Sequence, residues 1–478
     1  MSLGLSQKFN VLQQSPHDLQ TVPLENNAHG NEDAWVSSRF TMRARATDGR
    51  LVLWNSYTGA ISVFRSDQYG AIESMLSRQG VEGKPEGILK YMVDRGFLVK
   101  KGTDEYKRFQ YDFGQAQHRS DFLDLILLAS EDCNFRCIYC YEKFARGTMR
   151  PEIRQGIKRF VESRLKGLRV LTVGWFGGEP LYGLQAIEDL APFFWNIAEE
   201  NSLVFHSNMT TNGYLLTPEI SERLLSWRIN RFQITLDGPG QCHDHSRPTR
   251  EGDGTFDVIL ENLKALRQRP ERFQVNLRVN FSPENVPHMD EFLDIVEKEL
   301  EGDSRFHLRF RAVGKWGGDN DNQLEVCGAD EGNKLMLEFE RQAQERGITL
   351  ADGFKASSML GSQVCYAGRP YSFVVGASGK LMKCTVVLDE DERNVVGRIT
   401  PEGKLEVDLS KLAPWVAPYF EQDTQCQRCV VLPVCQGFSC QLPRVTGERR
   451  PCIPTRSNWK KELIATVSRT GQVNRRVV

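Results

Sequence analysis

The chain has 478 residues, 40% hydrophobic and 26% charged, with 61 Lys plus Arg against 62 Asp plus Glu for a formal charge of −1. At roughly 150 residues per domain this suggests about three domains, each able to build a core without disulfides. The even charge balance argues against a nucleic-acid binder, no apolar run reaches the length of a membrane helix, and the polar start MSLGLSQKFNVLQQSPHDLQ lacks the parts of a secretion signal, so a cytoplasmic protein with neither nucleic-acid nor membrane partners is expected.

Residues 1–37 are polar and aperiodic and read as a disordered tail, with structure starting near Phe40. Between Phe40 and Phe64, turn signals at Asp48-Gly49 and Thr58-Gly59 separate apolar runs, the pattern of short antiparallel strands. Helical segments follow at Asp67–Arg78 and Pro85–Asp94, and Gly96-Phe97-Leu98-Val99 reads as a helix stop and a wing strand. Residues 38–118 thus have the outline of a winged-helix-like α+β domain. It has no concentrated basic face, so a peptide is the expected partner rather than DNA.

From Leu123 the pattern changes to α/β. LDLILLAS is a near-continuous apolar run, as in a strand buried on both faces. Further runs at Val170–Phe176, Val204–Met209, Phe232–Leu236, Phe273–Val279 and Phe306–Phe310 alternate with helical stretches Ile153–Leu165, Leu184–Glu200, Pro218–Trp227, Phe256–Arg267 and Met289–Leu300. Six strands with helical crossovers predict a parallel sheet over residues 119–320, open or partly closed into a barrel, with chemistry at the carboxyl ends of the strands. A bridging region, 321–363, holds one helix near Gly332–Arg346. Residues 364–455 carry seven cysteines with little period and read as a segment that folds around metal. The basic tail, 456–478, reads as a solvated helix with a frayed end.

The 12 cysteines are spread unevenly, which in a large chain without a secretion signal points to metal or redox chemistry. Cys133, Cys137 and Cys140 stand as C-x3-C-x2-C directly after the first strand of the α/β region. Three thiolates on one loop suit three corners of a four-iron cluster, leaving the fourth iron open. Zinc would require a further protein ligand, and none is near in sequence; three unrelated loop cysteines are the plain alternative.

This loop resembles the signature of the radical S-adenosylmethionine enzymes. The resemblance implies a partial (β/α)6 TIM-like barrel, and an open iron chelated by the amino and carboxylate groups of S-adenosylmethionine. One electron from the cluster would then release a 5'-deoxyadenosyl radical. It places Tyr139 near the adenine. Gly177-Gly178-Glu179-Pro180 follows the second strand, with glycines that allow close backbone approach and Glu179 as acceptor for an ammonium. Thr210-Thr211-Asn212-Gly213 and Thr235-Leu236-Asp237-Gly238-Pro239 end the third and fourth strands, and Asn212 and Thr235 look like the family's polar contacts to ribose and carboxylate. Arg247, in HDHSRP, and Arg278 are both candidates to pair the carboxylate. For Thr235, Arg247 and Arg278 a locally satisfied polar role is the alternative.

The ordered set Cys365, Cys384, Cys426, Cys429, Cys435, Cys440 and Cys452 resembles the auxiliary-cluster extension called the SPASM domain. By that pattern Cys426, Cys429, Cys435 and Cys452 hold one cluster, and Cys365, Cys384 and Cys440 another, for three [4Fe-4S] clusters in all. Four residues separate Cys435 from Cys440 where the family has three. The second set lacks a fourth cysteine unless Cys327 reaches it, and an open iron there would suit a substrate thiolate. A zinc ribbon over Cys426–Cys452 is the rival reading. Cys242 reads as a packed thiol, and the acidic Asp389, Glu390 and Asp391 as solvated loop residues. No catalytic base is assigned. Residues 38–118 are similar to the recognition element of ribosomal-peptide maturation enzymes, where a leader peptide adds as a strand; merely capping the barrel is the alternative. The expected function is a peptide maturase that installs a thioether or carbon–carbon crosslink in a ribosomally made precursor with a leader, reduced by ferredoxin or flavodoxin. The rivals are a formylglycine-generating sulfatase maturase and a non-catalytic iron–sulfur or zinc protein.

Overall fold

The computed structural model describes residues 34–470 except 47, 145–146, 301, 352–363, 389–390, 419, 438–439, 448–451 and 454. Its N-terminal elements are β1 (Ala34–Ser37), β2 (Thr41–Arg45), β3 (Leu51–Asn55), β4 (Ile61–Phe64), α1 (Tyr69–Met75), β5 (Val81–Glu82), α2 (Gly87–Asp94), β6 (Leu98–Lys100) and α3 (Glu105–Gln117). The turns expected at Asp48-Gly49 and Thr58-Gly59 do join β2, β3 and β4 into an antiparallel sheet, and both glycines take the positive φ those turns require. The arrangement differs from a single wing sheet. β1 lies inside the stretch read as tail, and forms a second sheet in the order β5-β1-β6. Four residues are too few to show a period, and β1 is held from outside, by pairing and by Trp35 Nε1 donating to Gly83 O at 3.1 Å. Residues 1–33 lie outside the described residues.

The basic tail departs from expectation. A helix spans Thr455–Thr470 and buries Leu463 and Val467 against Met42, Val52 and Trp54 of the β2-β3 sheet. Its apolar stripe is narrow, so a mostly polar composition conceals a docked face. Leu463 is fully buried, and Leu463→Ala is expected to cost about 2–4 kcal/mol, read as a lower denaturant midpoint.

The α/β region follows its predicted order: β7 (Phe122–Ser130), α4 (Pro151–Arg164), β8 (Val170–Gly177), α5 (Leu184–Glu200), β9 (Val204–Thr211), α6 (Pro218–Ser226), β10 (Ile229–Thr235), α7 (Gly240–Ser246), α8 (Phe256–Arg267), β11 (Gln274–Phe281), α9 (Met289–Leu300), β12 (Phe306–Ala312) and α10 (Ala329–Glu345). Strands β7 to β12 are parallel neighbours in chain order, the arrangement of a partial (β/α)6 barrel. The short α7 was not foreseen, because GQCHDHS has no apolar period.

Of the six barrel strands only β7 is buried along nearly its whole length on both faces. In β11 the residues Val275, Leu277, Val279 and Phe281 join the apolar core, while Gln274, Asn276, Arg278 and Asn280 occupy the opposite face. That polar face is the concave lumen of the barrel. The C-terminal segment is more than a metal-held coil. Strand β13 (Ser372–Val375) pairs in parallel with β7, and β14 (Lys380–Met382), β15 (Val395–Ile399) and β16 (Leu405–Val407) continue antiparallel, extending the sheet to ten strands. This attachment lends it the barrel core that its own sequence lacks, and seats Cys384 two residues past β14. Among the described residues no helix is long and apolar enough to cross a membrane.

Candidate active site

The loop leaving β7 is folded before any ligand is considered. Arg136 N and Ile138 N donate to Pro248 O and Ser246 O at 2.9 and 3.0 Å, and Arg250 N donates to Asn134 O at 2.8 Å. The Arg250 guanidinium adds bonds to Asp132 Oδ1 (2.6 Å) and Cys133 O (2.9 Å). The loop thus presents Cys133, Cys137 and Cys140 together at the carboxyl end of the first barrel strand. Burial pushes all three thiols up, Cys140 to about 12, and the charges of Cys137 and Cys140 raise Cys133 further. Such thiols become thiolates only beside a compensating cation, which is the chemistry of an iron–sulfur donor set. Among the described residues, no three His, Cys, Asp or Glu side chains close tightly enough to hold a single metal ion.

Gly177 and Gly178 approach this loop directly. A Cβ on Gly177, whose φ is +123°, would stand 2.0 Å from Ser130 O, and one on Gly178 would stand 2.6 Å from Asp132 O. Gly178 N and Glu179 N donate to those same two carbonyls at 3.1 and 3.0 Å. The glycines therefore let the end of β8 nest against the cysteine loop. Gly177→Ala is expected to cost about 3 kcal/mol and to lower the iron retained by purified protein, measured by melting and iron assay. Glu179 is fully buried, and its carboxylate accepts from Leu181 N (2.9 Å), Thr211 Oγ1 (2.8 Å) and Asn212 N (2.7 Å). It ties β8 to β9, and burial pushes it up to about 7. Asn212 reaches back to Asn134 Oδ1 at 2.8 Å, beside Cys133.

A second buried network sits at the ends of β10 and β11. Tyr139 Oη donates to Asp237 Oδ2, and itself accepts from Arg247 Nη1 (2.8 Å) and Asn280 Nδ2 (3.1 Å). Asp237 Oδ1 accepts from Asn280 N at 2.7 Å, and Asn285 Nδ2 donates to Asp237 O at 2.5 Å. Helix α7 supplies His243, whose Nδ1 accepts from Asp237 N at 3.0 Å, and places Arg247 immediately after its last turn. Thr235 is buried at the end of β10. Arg278 joins this network at its edge, donating to Asn280 Oδ1 at 2.7 Å. Asp237, His243, Asn280 and Asn285 were not among the predicted site residues, although Asp237 lies within the Thr235–Pro239 motif; their partners come from separate strands. A cavity of about 180 Å³ lies over this network, lined by Ile138, Tyr139, Asp237, Ser246, Asn280 and Leu324 among others.

Two donors at the cysteine loop are buried without a partner, Asn134 Nδ2 within it and Arg247 Nε against it. A buried unpaired donor is costly, and the carboxylate and ribose oxygens of S-adenosylmethionine are acceptors of the kind both lack. With the adjoining cavity and the thiol trio, the residues present fit a cluster and that cofactor.

The C-terminal cysteines fall into two groups. Burial, followed by the charges of Cys365 and Cys440, pushes Cys384 up to about 11. Cys426 is pushed up to about 12, by burial first and then by Asp423, Cys435 and Cys429, and Arg456 Nη1 donates to Cys452 Sγ at 2.7 Å while also feeling Cys429 and Cys426. Cys327 is not brought to the first group; it stands before α10, with Glu331 as the charge acting on it. Cys242 packs under Gly238. Asp391 pairs with Arg393 at 2.8 Å, and Asp389 and Glu390 lie outside the described residues.

Residues 127–296 match the family model described as the Radical SAM superfamily. The chain is 25% identical over 335 residues to a serine-type anaerobic sulfatase-maturating enzyme of Klebsiella aerogenes, covering 67% of this chain and 80% of that one. It is 25% identical over 201 residues to a radical SAM cyclopropyl synthase of Paramaledivibacter caminithermalis, covering 38% of this chain and only 41% of the relative. A mycofactocin maturase of Mycobacterium tuberculosis is 26% identical over 169 residues, 35% of this chain and 39% of that one. The solved structure described as "Native anSMEcpe with bound AdoMet and Cp18Cys peptide" shares the fold, with a TM-score of 0.56 at 19% identity over 74% of this chain and 98% of that one. The parallel barrel, the thiol trio at the end of its first strand and the family match converge on one stretch: residues 127–296 of this chain are similar to the Radical SAM superfamily.

Proposed function

We propose that the protein is a radical S-adenosylmethionine maturase that closes a thioether or carbon–carbon crosslink in a ribosomally made precursor peptide. The observation that carries this reading is the thiol trio with two unpartnered buried donors beside it, together with the further cysteines of the C-terminal segment. Cys133, Cys137 and Cys140 would hold the cofactor-binding cluster. Tyr139, Asn212 and Arg247 would hold S-adenosylmethionine. Cys365, Cys384 and Cys440, and Cys426, Cys429, Cys435 and Cys452, would hold two auxiliary clusters. Bound S-adenosylmethionine supplies a hydrogen-abstracting radical once the cluster is reduced by ferredoxin or flavodoxin.

The chain's own residues do the positioning. Asp237 fixes Tyr139 and, through it, Arg247, so that the guanidinium does not reorganise when an anion arrives. The polar lumen admits a peptide main chain, and a leader would add as a strand at the β4 edge of the β2-β3-β4 sheet. The sulfatase-maturating and mycofactocin relatives, and a structural neighbour with bound peptide, support a peptide substrate.

A second reading is favoured by one observation: the sulfatase-maturating relative is matched over 80% of its length. In it the protein oxidises one Cys or Ser to formylglycine. Anaerobic incubation of holoprotein and precursor with S-adenosylmethionine and dithionite, followed by tandem mass spectrometry, separates the two. A crosslink suppresses backbone fragments between the joined residues, whereas formylglycine leaves the ladder intact. Absence of 5'-deoxyadenosine would overturn both.

A further inference from the structure

The parallel register of the last three barrel strands aligns their lumen-facing side chains in rows. Thr235 of β10 is level with Arg278 of β11, which is level with Arg309 of β12, and in the next row Asn280 is level with Arg311. Residues paired across a parallel ladder share a face. Asn280 contacts Tyr139 over the cavity, while the alternating Leu308 and Phe310 join the apolar core beneath Phe339 of α10. Arg278, Arg309 and Arg311 therefore stand side by side on the lumen wall, next to the candidate active site.

Three guanidinium groups on neighbouring rows repel one another, and a fold that needed only solubility would place them outside. Arg309 and Arg311 are exposed, yet partial desolvation on the wall, aided by the charges of Arg278 and, for Arg311, Arg309, lowers both guanidinium pKa values, Arg311 to about 10. Glu340 of α10 is the carboxylate whose charge reaches them, and no described side chain ion-pairs with either arginine. Arg278 alone has a polar partner, Asn280. The row is an assembled cationic wall, with Glu340 as the carboxylate whose charge acts on it.

We propose that Arg309 and Arg311, backed by Arg278, form a carboxylate-recognition subsite on the barrel wall that holds an acidic side chain of the substrate peptide beside the reacting residue. The planar fork of arginine suits bidentate pairing with a carboxylate, and neighbouring guanidinium groups strengthen the attraction. The same chemistry would serve the carboxylate of S-adenosylmethionine, for which Arg247 already has an unpartnered Nε at the cysteine loop. The subsite thus deepens the maturase reading by giving the substrate class: peptides with Asp or Glu near the modified position.

The test uses reconstituted holoprotein with S-adenosylmethionine and two fluorescein-labelled peptides, Gly-Ser-Glu-Ser-Gly and Gly-Ser-Gln-Ser-Gly, followed by fluorescence anisotropy. The wild-type protein is expected to favour the Glu peptide about 10-fold, and the preference to shrink in high salt. The double variant Arg309→Gln/Arg311→Gln is expected to lose the preference, and Arg309→Lys/Arg311→Lys to keep part of it. Equilibrium dialysis with labelled S-adenosylmethionine should read the same affinity in all three proteins. Equal affinity for the two peptides in the wild type, or no binding of either, overturns the subsite. A loss of S-adenosylmethionine affinity in the Gln variant instead assigns the arginines to the cofactor and also overturns it. Because binding is read without turnover, failure of the subsite is distinct from failure of the maturase reading, which the 5'-deoxyadenosine assay decides.

Discussion

Cys137→Ala protein is expected to yield no detectable 5'-deoxyadenosine from S-adenosylmethionine under dithionite, while keeping about two thirds of the wild-type iron after anaerobic reconstitution. The reason lies in the loop. The three thiols have no nearby fourth cysteine to substitute, and burial holds each of them neutral unless a cationic cluster is present to draw off the proton. Removing one leaves two ligands for a body that needs three. The C-terminal groups belong to other elements and keep their own electrostatic neighbours, so their iron is expected to remain. Iron assay and chromatographic quantification of deoxyadenosine check both halves. Loss of all iron would mean that the three groups do not assemble independently.

Arg247→Leu is expected to destabilise the folded protein by about 3–5 kcal/mol, the cost of leaving a buried charge without its partner. Asp237 is almost wholly buried, and burial raises its pKa against the lowering influence of Arg247. Without the guanidinium that carboxyl rises further. A carboxyl whose folded pKa exceeds its unfolded value contributes stability at low pH, which is lost as pH rises through the folded value. The deficit of the variant should therefore narrow as pH falls from 7 towards 5. The second substitution Asp237→Asn should recover part of the loss, and a double-mutant cycle of urea unfolding measures the coupling. A deficit that does not change with pH would mean that Arg247 acts through packing on Phe135, over whose ring its guanidinium lies at 5.7 Å, rather than through charge.

The division between what spacing reveals and what folding adds is visible at particular residues. Cys133, Cys137 and Cys140 could be read together because a cluster loop gathers its ligands within a few residues of chain. The six barrel strands and five of their helices could be read because burying one face imposes a period on each, and that period is local. Glu179 and the glycines before it could be located, but their task could not. Only the approach of β8 to the cysteine loop reveals that Gly177 and Gly178 make room for Ser130 O and Asp132 O, and that Glu179 spends its acceptors on β9.

Other features have no local trace at all. β1 and the helix at Thr455–Thr470 are stabilised by partners remote in sequence, so neither a four-residue strand nor a narrow Leu463–Val467 stripe carries its own evidence. Asp237, Asn280 and Arg247 come from three separate elements, and become one network only where β10, β11 and α7 meet. The amino-acid order settled which cysteines stand close together along the chain and which segments alternate between strand and helix, since both depend on neighbours a few residues away. Tertiary structure alone decided which face of each strand lines the lumen and which arginines stand abreast there, because strand register is a property of pairs of segments and no single segment contains it.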